Sequence, residues 1–298
     1  MSLRARLAAA TAPLALMLIA PASSFAITIN ENFHPQDEFK LDKWIPIQIG
    51  PLDLSITKAV LYLWIATALT IWTMVYVARR MQERPNRVQT AVEAAYDLTF
   101  NQITRNNMNT QMALKWFPVI GALFLFIWFS NIIGYIPLPT NSAEPFHIGG
   151  LAIPSFALYA ATANIAVPLA LTLFVWIAYH VEGIRAKGFI GYFKSWIPAG
   201  VEGPARAPIF VIEVISHFVR LISLSVRLFA NLLAGHLLIL FMAGGLGILL
   251  GFAALNIITV PVAVVFFLFE VVLIASLQAF IFAILAAIYL GGATSEAH

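Results

Sequence analysis

The sequence lacks cysteine altogether, and only 10% of its 298 residues are charged. Without cysteine the chain has no disulfide bond, no thiolate metal site and no cysteine nucleophile. Soluble domains carry charge on about 25% of their residues, so this chain has too little charge to cover a soluble enzyme. Instead, 61% of the residues are hydrophobic, including 23 phenylalanines, which excludes a disordered chain. The composition indicates an integral membrane protein.

Neither a nucleic-acid partner nor a nucleotide-binding site is indicated. The net charge is only +3, and the basic residues stand in short runs beside apolar segments. That pattern is typical of loops between membrane spans. The glycine-rich stretch over 244–251 lacks the Gly-Lys-Ser/Thr sequence of a phosphate-binding loop.

Residues 1–26 have the features of a secretory signal peptide. Two arginines precede an apolar stretch over 7–20, and Ser24-Phe25-Ala26 fits the small-x-small cleavage pattern. The stretch is short for a bilayer span, which needs about 20 residues. We predict a bacterial export signal. The alternatives are an uncleaved anchor and an organellar presequence, the latter because no acidic residue occurs before Glu31.

Five apolar segments predict an all-α membrane protein with five crossing helices. They lie at 57–78, 116–136, 151–179, 208–243 and 254–290. The last two are joined by a glycine-rich turn and are predicted to form a long tilted hairpin over 208–290. Residues 27–56 are mixed and polar and are predicted to form an outer N-terminal arm. Residues 57–290 then form the membrane domain, and 291–298 a C-terminal tail.

Residues 88–112 are too polar to cross a bilayer, but their apolar residues recur near helical spacing. We predict an amphipathic helix that lies on the inner membrane surface. The residues of its apolar face are Val88, Val92, Ala95, Leu98 and Ile103.

Basic residues outside the apolar segments predict the orientation. One cluster directly follows the first span, and a second precedes the fourth: Arg79, Arg80, Arg84 and Arg87, then Arg185, Lys187, Lys194 and Arg206. The loop over 137–150 contains no lysine or arginine. By the positive-inside rule, both clusters face the cytoplasm, the mature N-terminus lies outside and the C-terminus inside. The expected location is the bacterial plasma (inner) membrane, with the mitochondrial inner membrane as the alternative.

Polar residues inside the fourth segment fall on one face of a helix. Counted from Glu213, His217, Arg220, Arg227 and Asn231 follow at 4, 7, 14 and 18 residues. At about 100° per residue they lie within roughly 40° of one line, over about 27 Å. Charged side chains in a span cost a few kcal/mol and indicate a functional site by default.

Ser223 borders this polar stripe, whereas His236 lies well round the helix. The last segment carries Glu270, Ser276 and Gln278. Two helices with facing polar stripes line an aqueous path or clamp each other.

Non-functional alternatives exist for several of these residues. Arg227 forms a structural ion pair with Glu213 or Glu270 in one alternative. Arg220 lies nearer the inner end and is predicted to extend to the membrane surface. Asn131 and Asn164 are predicted to cap or bridge helices.

An arginine inside a span is a permanent positive charge and cannot relay a proton. Glutamate and histidine can do so. A fixed charge among such groups blocks the flow of cations and attracts a carboxylate. This arrangement suits a mobile carboxylate on a partner, which must release its proton as it passes.

Two sequences of the last two segments resemble a known family. They are LISLSVRLFANLLAGH over 221–236 and SLQAFIF over 276–282. Both resemble subunit a of the membrane (Fo) sector of rotary ATP synthase. Asn131-x-x-Gly-x-x-Pro137 and Thr162-Ala-Asn164 match weaker signatures, and the resemblance covers about 52–290.

The resemblance implies a non-catalytic, proton-translocating stator. The essential arginine of the family falls on Arg227, which meets the carboxylates of a ring of c subunits between two offset half-channels. Glu213 matches the acidic residue of the inner half-channel. Polar positions of the outer path or of the arginine's surroundings match Asn231, His236, Glu270 and Gln278.

We add His217 and Ser223 to these ion-translocation residues because they lie on or beside the same stripe. The implied partners are the c-ring, b-type peripheral-stalk subunits, the other subunits of the complex and the lipid bilayer. No cofactor or metal is expected, and nucleotide chemistry belongs to other subunits. The remaining alternatives are a proton-coupled secondary transporter and a purely structural membrane subunit.

Two departures from the family pattern concern Glu270. Many bacterial relatives have an acid at the position of His236 and a histidine near Glu270, so the pair is exchanged here; it still favours H⁺ over Na⁺. Glu270 also precedes Gln278 by eight residues, where seven is expected. One residue is about 100° of helix, so Glu270 is rotated off its expected site unless the helix bulges.

Overall fold

The structure is a computed structural model. It describes residues 41, 43–50, 52–53, 55–80, 86–148, 151–157, 159–197, 201, 203–245 and 255–295. The predicted signal peptide, most of the outer arm and the glycine-rich turn between the last two spans lie outside the described residues.

Helices make up the membrane domain. In chain order they are α1 (Lys58–Arg80), α2 (Arg87–Asp97), α3 (Thr110–Gly134), α4 (Ala166–Lys187), α5 (Phe189–Lys194), α6 (Arg206–Leu240), α7 (Asn256–Phe269) and α8 (Ala275–Thr294). Three of them continue into π-helical turns: α2 into Leu98–Arg105, α6 into Phe241–Gly245 and α7 into Glu270–Ile274. Two short 3-10 turns, Ala161–Ala163 and Gly203–Ala205, precede α4 and α6.

Five helical stretches are long and apolar enough to cross a membrane. They are Lys58–Arg79, Thr110–Gly134, Ala166–Lys187, Gly203–Ala243 and Asn256–Thr294. The predicted all-α membrane fold and the number of spans are confirmed. The last stretch combines α7, its π-helical turn and α8, and it continues to Thr294, so the predicted tail over 291–298 begins within the helix.

The third span begins later than the sequence predicts. We expected it to start at residue 151, but Leu151–Ala157 is strand β4, paired antiparallel with β3, Leu138–Ile148. The backbone of this stretch pairs across the hairpin with Leu138–Ile148, so it does not extend the helix. The helix starts only at Ala166, whose backbone N–H donates to the Asn164 side chain over 3.0 Å.

Outside the membrane spans there is a second, smaller hairpin in the described part of the N-terminal arm. Its strands β1 (Gln48–Ile49) and β2 (Leu52–Asp53) pair antiparallel. Gly50 lies in the turn between them with φ 61°, a conformation that glycine adopts without strain.

The predicted amphipathic helix over 88–112 is two elements. The first, α2 with its π-helical turn, ends before Asn109, whose side chain accepts the Met112 N–H over 2.9 Å and so begins α3. Burial comes from the π-helical part, where Ile103 is fully buried, whereas Val88 is 49% exposed. Val88 and Ile103, which the sequence places on one apolar face, therefore differ in burial. The extra residue of each π turn rotates the side chains that follow it. A single 3.6-residue period therefore does not describe the whole segment.

The core lies between α3, α4 and α8. Alanines line one side of α8 and are fully buried: Ala275, Ala279, Ala283, Ala286 and Ala287. Small residues allow helices to approach closely in a membrane, and α8 packs here against α3 and α4. Asn131 adds a polar bridge, since its Nδ2 donates to the Ala275 carbonyl over 3.2 Å and its Oδ1 accepts from Thr162 over 2.9 Å. The predicted capping or bridging roles of Asn131 and Asn164 are confirmed.

The last two spans lie at one side of this core and expose a broad apolar face. Only 17% of the most apolar part of each is buried, compared with 39% in α3. Large side chains on both helices are exposed, among them Ile212, Phe218 and Ile222 on α6 and Ile257, Val264 and Leu268 on α7. This face positions the candidate site.

Candidate functional site

Arg227 lies on the exposed face of α6. Ser223, one turn before it, and Asn231, one turn after it, are exposed on the same side. Leu224 and Leu228 face the other way and are buried in the core. Because the helix repeats every 3.6 residues, Ser223, Arg227 and Asn231 form a polar stripe that faces outward.

Arg227 has no ion-pair or hydrogen-bond partner within the described part of the chain. The two glutamates proposed as its structural partners are engaged elsewhere. Glu213 pairs with Arg220, and Glu270 accepts a hydrogen bond from Tyr135. The alternative in which Arg227 clamps two helices through one of these glutamates is therefore wrong.

Arg220 forms an ion pair along its own helix. Its Nη2 lies 3.3 Å from Glu213 Oε1, and both side chains are about one-third exposed, at 36% and 32%. The guanidinium also lies 5.6 Å from the ring centroid of Tyr289 on α8. The sequence predicts that Arg220 extends to the membrane surface, but it turns along the helix because a carboxylate two turns away and an aromatic ring are within reach.

A cavity of about 460 Å³ opens beside this ion pair. Its walls come from α4, α5, α6 and α8, and we call it the inner cavity. The polar residues that line it include Lys187, Tyr192, Ser195, Glu213, His217 and Arg220.

His217 is held in the wall of the inner cavity. It is buried, and its Nδ1 lies 2.8 Å from the Tyr179 hydroxyl. Its imidazole packs against the Trp196 ring at 4.3 Å and the His180 ring at 4.9 Å between centroids. The backbone carbonyl of His217 accepts the Trp176 indole N–H over 3.1 Å. These contacts fix the ring next to Glu213, one helical turn away.

Tyr192 reaches the cavity from α5, outside the spans. Gly188, with φ 73°, ends α4 and turns the chain into α5. Burial raises the pKa of Tyr192, so its hydroxyl stays protonated and can donate a hydrogen bond.

His236 occupies a different environment, near the other end of α6. It is fully buried, its Nδ1 lies 2.9 Å from the Leu232 carbonyl oxygen and its Nε2 lies 3.1 Å from that of Gly134. A carbonyl oxygen only accepts hydrogen bonds, so each ring nitrogen donates to its carbonyl only when it carries a proton. The ring also stacks on Tyr135, with 4.4 Å between centroids.

Glu270 joins this cluster through Tyr135. The Tyr135 hydroxyl donates to Glu270 Oε2 over 3.0 Å, and Glu270 is 8% exposed. Gly235 on α6 lies directly against the carboxyl group, because a β-carbon there would be 2.5 Å from Glu270 Cδ. We call His236, Tyr135 and Glu270 the outer cluster.

A bulge absorbs the extra residue between Glu270 and Gln278. Glu270 begins the π-helical turn Glu270–Ile274, and a π turn contains one residue more than an α turn. Glu270 therefore faces into the bundle instead of being rotated off by about 100°. Gln278 is 4% exposed on α8, and its neighbour Ser276 accepts the Trp128 indole N–H over 3.0 Å.

The predicted site residues thus fall into three places. Glu213 and His217 lie at the inner cavity, and His236 and Glu270 belong to the outer cluster. Ser223, Arg227 and Asn231 lie on the exposed face, and Gln278 is buried in α8. The structure brings none of the described acidic residues to Arg227.

Sequence reasoning missed the aromatic residues that connect these groups. Tyr135, Tyr179, Tyr192 and Trp196 contact predicted site residues directly or line the same cavity. Each comes from another helix or loop, so no spacing rule links it to α6. The one available signal was that a buried tyrosine or tryptophan usually needs a hydrogen-bond partner for its polar end.

Among the described residues, no group of three or more histidine, aspartate and glutamate side chains could hold a metal ion.

Comparison with known proteins identifies the family. The model of the family described as ATP synthase A chain matches residues 60–291. The chain is similar to ATP synthase subunit a of Rubrobacter xylanophilus, at 35% identity over 85% of this chain and 91% of that protein. It is also similar to ATP synthase subunit a of Rhodopseudomonas palustris, at 33% over 89% and 99%, and of Hyphomonas neptunium, at 31% over 89% and 97%. With a multi-pass helical fold and a match over most of its length, the chain belongs to the ATP synthase A chain family.

Proposed function

We propose that this chain is the proton-translocating stator subunit of an F-type ATP synthase. The observation that carries the proposal is the exposure of Arg227 on an apolar helix face, without a partner in the described residues. A charge left in contact with lipid is expensive. A partner with a carboxylate at the same depth removes that cost, and a ring of c subunits supplies one carboxylate after another.

Two paths lead protons to and from that face. Glu213, fourteen residues before Arg227, lies roughly 21 Å from it along the helix axis, and His236, nine residues after it, roughly 13 Å. The inner cavity with Glu213 and His217 forms the half-channel to the cytoplasm. The outer cluster of His236, Tyr135 and Glu270 belongs to the half-channel from the outside. In this proposal the two half-channels are not joined within the chain, so a proton crosses only on the ring.

Arg227 keeps the two half-channels separate. A guanidinium stays charged at all physiological pH values, so it repels a free proton and attracts a ring carboxylate that has lost its proton. Ser223 and Asn231 offer neutral hydrogen-bonding groups on either side of it. Each charge that crosses about 100 mV releases roughly 2.3 kcal/mol, so several protons are combined for each ATP through rotation of the ring.

The remaining assignments are part of the same proposal. The chain itself is non-catalytic and binds no nucleotide, while b-type peripheral-stalk subunits hold it against the ring. It lies in the bacterial inner membrane with the mature N-terminus outside and the C-terminus in the cytoplasm, after removal of residues 1–26. The exchanged Glu270 and His236 pair retains one carboxyl and one imidazole, which favours H⁺ as the coupling ion.

The test is Arg227→Ala in the complete complex, reconstituted in vesicles. We expect normal assembly and no ATP-driven proton pumping, because ring carboxylates then have no fixed charge to release their protons against. Pumping is measured with a pH-sensitive dye, and subunit content by immunoblot. Arg87→Ala, which removes an exposed arginine of α2, is the matched control and should pump normally.

A purely structural subunit gives the opposite pattern. In that case Arg227→Ala weakens assembly, while those complexes that do assemble pump at the normal rate. Normal pumping by assembled Arg227→Ala complexes would rule out the proposed mechanism.

A further inference from the structure

A second cavity, of about 260 Å³, lies between α1, α2 and α3. Its walls include Met74 and Ala78 of α1, Ala95 of α2 and Gly121 of α3, and it shares no lining residue with the inner cavity. We call it the apolar cavity. Met74 and Tyr96 line it and are also exposed, at 39% and 50%, so the cavity opens to the exterior of the chain.

The apolar cavity offers water almost no hydrogen-bonding group. Among its lining side chains, only those of Thr99 and Tyr96 carry a nitrogen or oxygen atom. The Thr99 hydroxyl already donates to the Ala95 carbonyl over 2.7 Å, and the Tyr96 ring packs edge to face on Phe117, with 4.8 Å between centroids. A buried water needs two to four polar partners, so the walls favour an apolar occupant.

The size of the apolar cavity selects between two kinds of apolar occupant. A helix with its side chains is at least about 10 Å wide and rises about 5.4 Å per turn, so one turn fills about 400 Å³. The cavity, at about 260 Å³, is too small for a helix of a partner subunit. A single hydrocarbon chain is much thinner and fits.

A groove runs along the neighbouring face of α1 and ends at a positive charge. Its volume is about 500 Å³, and Ile71, Trp72, Val75 and Arg79 are among the residues that line it. Arg79 is exposed and forms no ion pair with another described residue. It directly follows Ala78, which lines the apolar cavity, so the cavity and the groove lie on either side of the same end of α1.

An anionic phospholipid matches this arrangement, because its two apolar chains leave one negatively charged head. Arginine binds phosphate oxygens through charge-assisted hydrogen bonds, and basic pockets between membrane helices bind anionic lipid heads. Trp72, in the groove, is of the residue type that is enriched at membrane interfaces.

We propose that α1 holds an anionic phospholipid, with one acyl chain in the apolar cavity, the other in the groove and the phosphate on Arg79. The inference goes beyond the proposed function and does not depend on it, since it requires only that the chain crosses a membrane.

The test uses phosphatidylglycerol with a diazirine in one acyl chain, as a minor component of phosphatidylcholine vesicles that contain the complete complex. After irradiation, mass spectrometry should find the label on cavity residues such as Met74 and Phe117. Ala95→Phe fills the cavity and should remove most of this label. Ala94→Phe is the matched control, because Ala94 is exposed on the same helix and does not line the cavity; its labelling should equal that of the unmodified complex.

A variant that fails to assemble is recognised by immunoblot. Should Ala95→Phe fail in this way, Ala78→Phe fills the same cavity from α1, where Ala78 is exposed, and should likewise remove most of the label.

Arg79→Gln tests the headgroup contact and leaves the cavity unchanged. The unmodified complex should take more label from phosphatidylglycerol than from phosphatidylcholine that carries the same diazirine. Arg79→Gln should lower this preference about fivefold, the factor for about 1 kcal/mol per basic residue near an anionic surface. Arg79→Lys keeps the charge and should keep most of the preference.

Three results would overturn the inference. Equal labelling in the cavity-filling variant and in Ala94→Phe would place the acyl chain elsewhere. A complete complex without label on the cavity residues would mean that another subunit covers the site or that no lipid enters it. An unchanged preference in Arg79→Gln would remove the headgroup from Arg79. None of these results affects the outcome expected for Arg227→Ala, so this inference and the proposed function fail separately.

Discussion

The two ends of α6 place the same residue types in opposite surroundings. Toward the N-terminal end, Glu213 and His217 border a cavity of about 460 Å³, and Glu213 is 32% exposed. Toward the C-terminal end, His236 is fully buried and Glu270 is 8% exposed. There the Glu270 carboxyl group accepts a hydrogen bond from the Tyr135 hydroxyl and lies against Gly235.

Under the proposed function, this difference would give the two ends of α6 different ways of moving a proton. A roomy polar cavity lets water bridge groups that do not touch, and a bridging water is nearly as good as a direct hydrogen bond. A tightly packed network has no room for a bridging water, so each buried polar group depends on its direct neighbour. The inner cavity should therefore tolerate substitutions that the outer cluster does not.

Among the substitutions that compare the two ends of α6, the largest effect is expected at Glu270. Glu270→Gln keeps the shape and can still accept the Tyr135 hydroxyl, but it removes the group that gains and loses a proton. ATP-driven pumping should fall on the order of a hundredfold, as for loss of a general acid or base, with assembly unchanged. Pumping in vesicles and subunit content by immunoblot measure both.

Glu213→Gln is the matched change at the inner cavity. Because water can bridge there, its pumping should stay well above that of Glu270→Gln. Equal losses in the two variants would contradict the contrast between a water-filled and a closely packed end, and unchanged pumping in Glu270→Gln would place Glu270 off the path.

A smaller effect is expected from one added methyl group at each end. In Gly235→Ala the new β-carbon collides with the Glu270 carboxyl group, whereas at Gly292, which lines the inner cavity, it meets nothing within 4 Å. Overpacking costs about 1–3 kcal/mol, so Gly235→Ala should lower pumping about tenfold and Gly292→Ala should leave it within about twofold. The measurement compares the initial pumping rates of the two variants at equal subunit content. Tolerance of both changes would show that the outer cluster has more room than its geometry indicates.

Local patterns were enough to predict the framework. Apolar segment length gave five spans, because a helix needs about 20 residues to cross the bilayer. The 3.6-residue period placed Ser223, Arg227 and Asn231 on one face of α6, and the structure keeps them there. Both depend only on neighbours along one helix, which is why the sequence alone reveals them.

Contacts between distant segments could not be predicted in this way. The pairing of Leu138–Ile148 with Leu151–Ala157 shortens the third span, although the second strand is apolar enough to read as membrane helix. Counting residues alone suggests that the eight-residue spacing rotates Glu270 away from the face of Gln278. The π-helical turn at Glu270 takes up the extra residue. Tyr135 contacts Glu270 although 135 positions of sequence separate them. The repeat of a single helix cannot predict a contact between such distant residues.

The proposed contact between the exposed face around Arg227 and a ring of c subunits can be measured by disulfide crosslinking. The chain has no cysteine, so Ala230→Cys, exposed one turn from Arg227, is the single reactive thiol. Ala68→Cys, exposed on α1, is the matched control. After mild oxidation, Ala230→Cys should crosslink to a ring cysteine placed beside the ring carboxylate, and Ala68→Cys should not. Failure of Ala230→Cys to crosslink in a fully assembled complex, or equal crosslinking at Ala68→Cys, would rule out this contact with the ring.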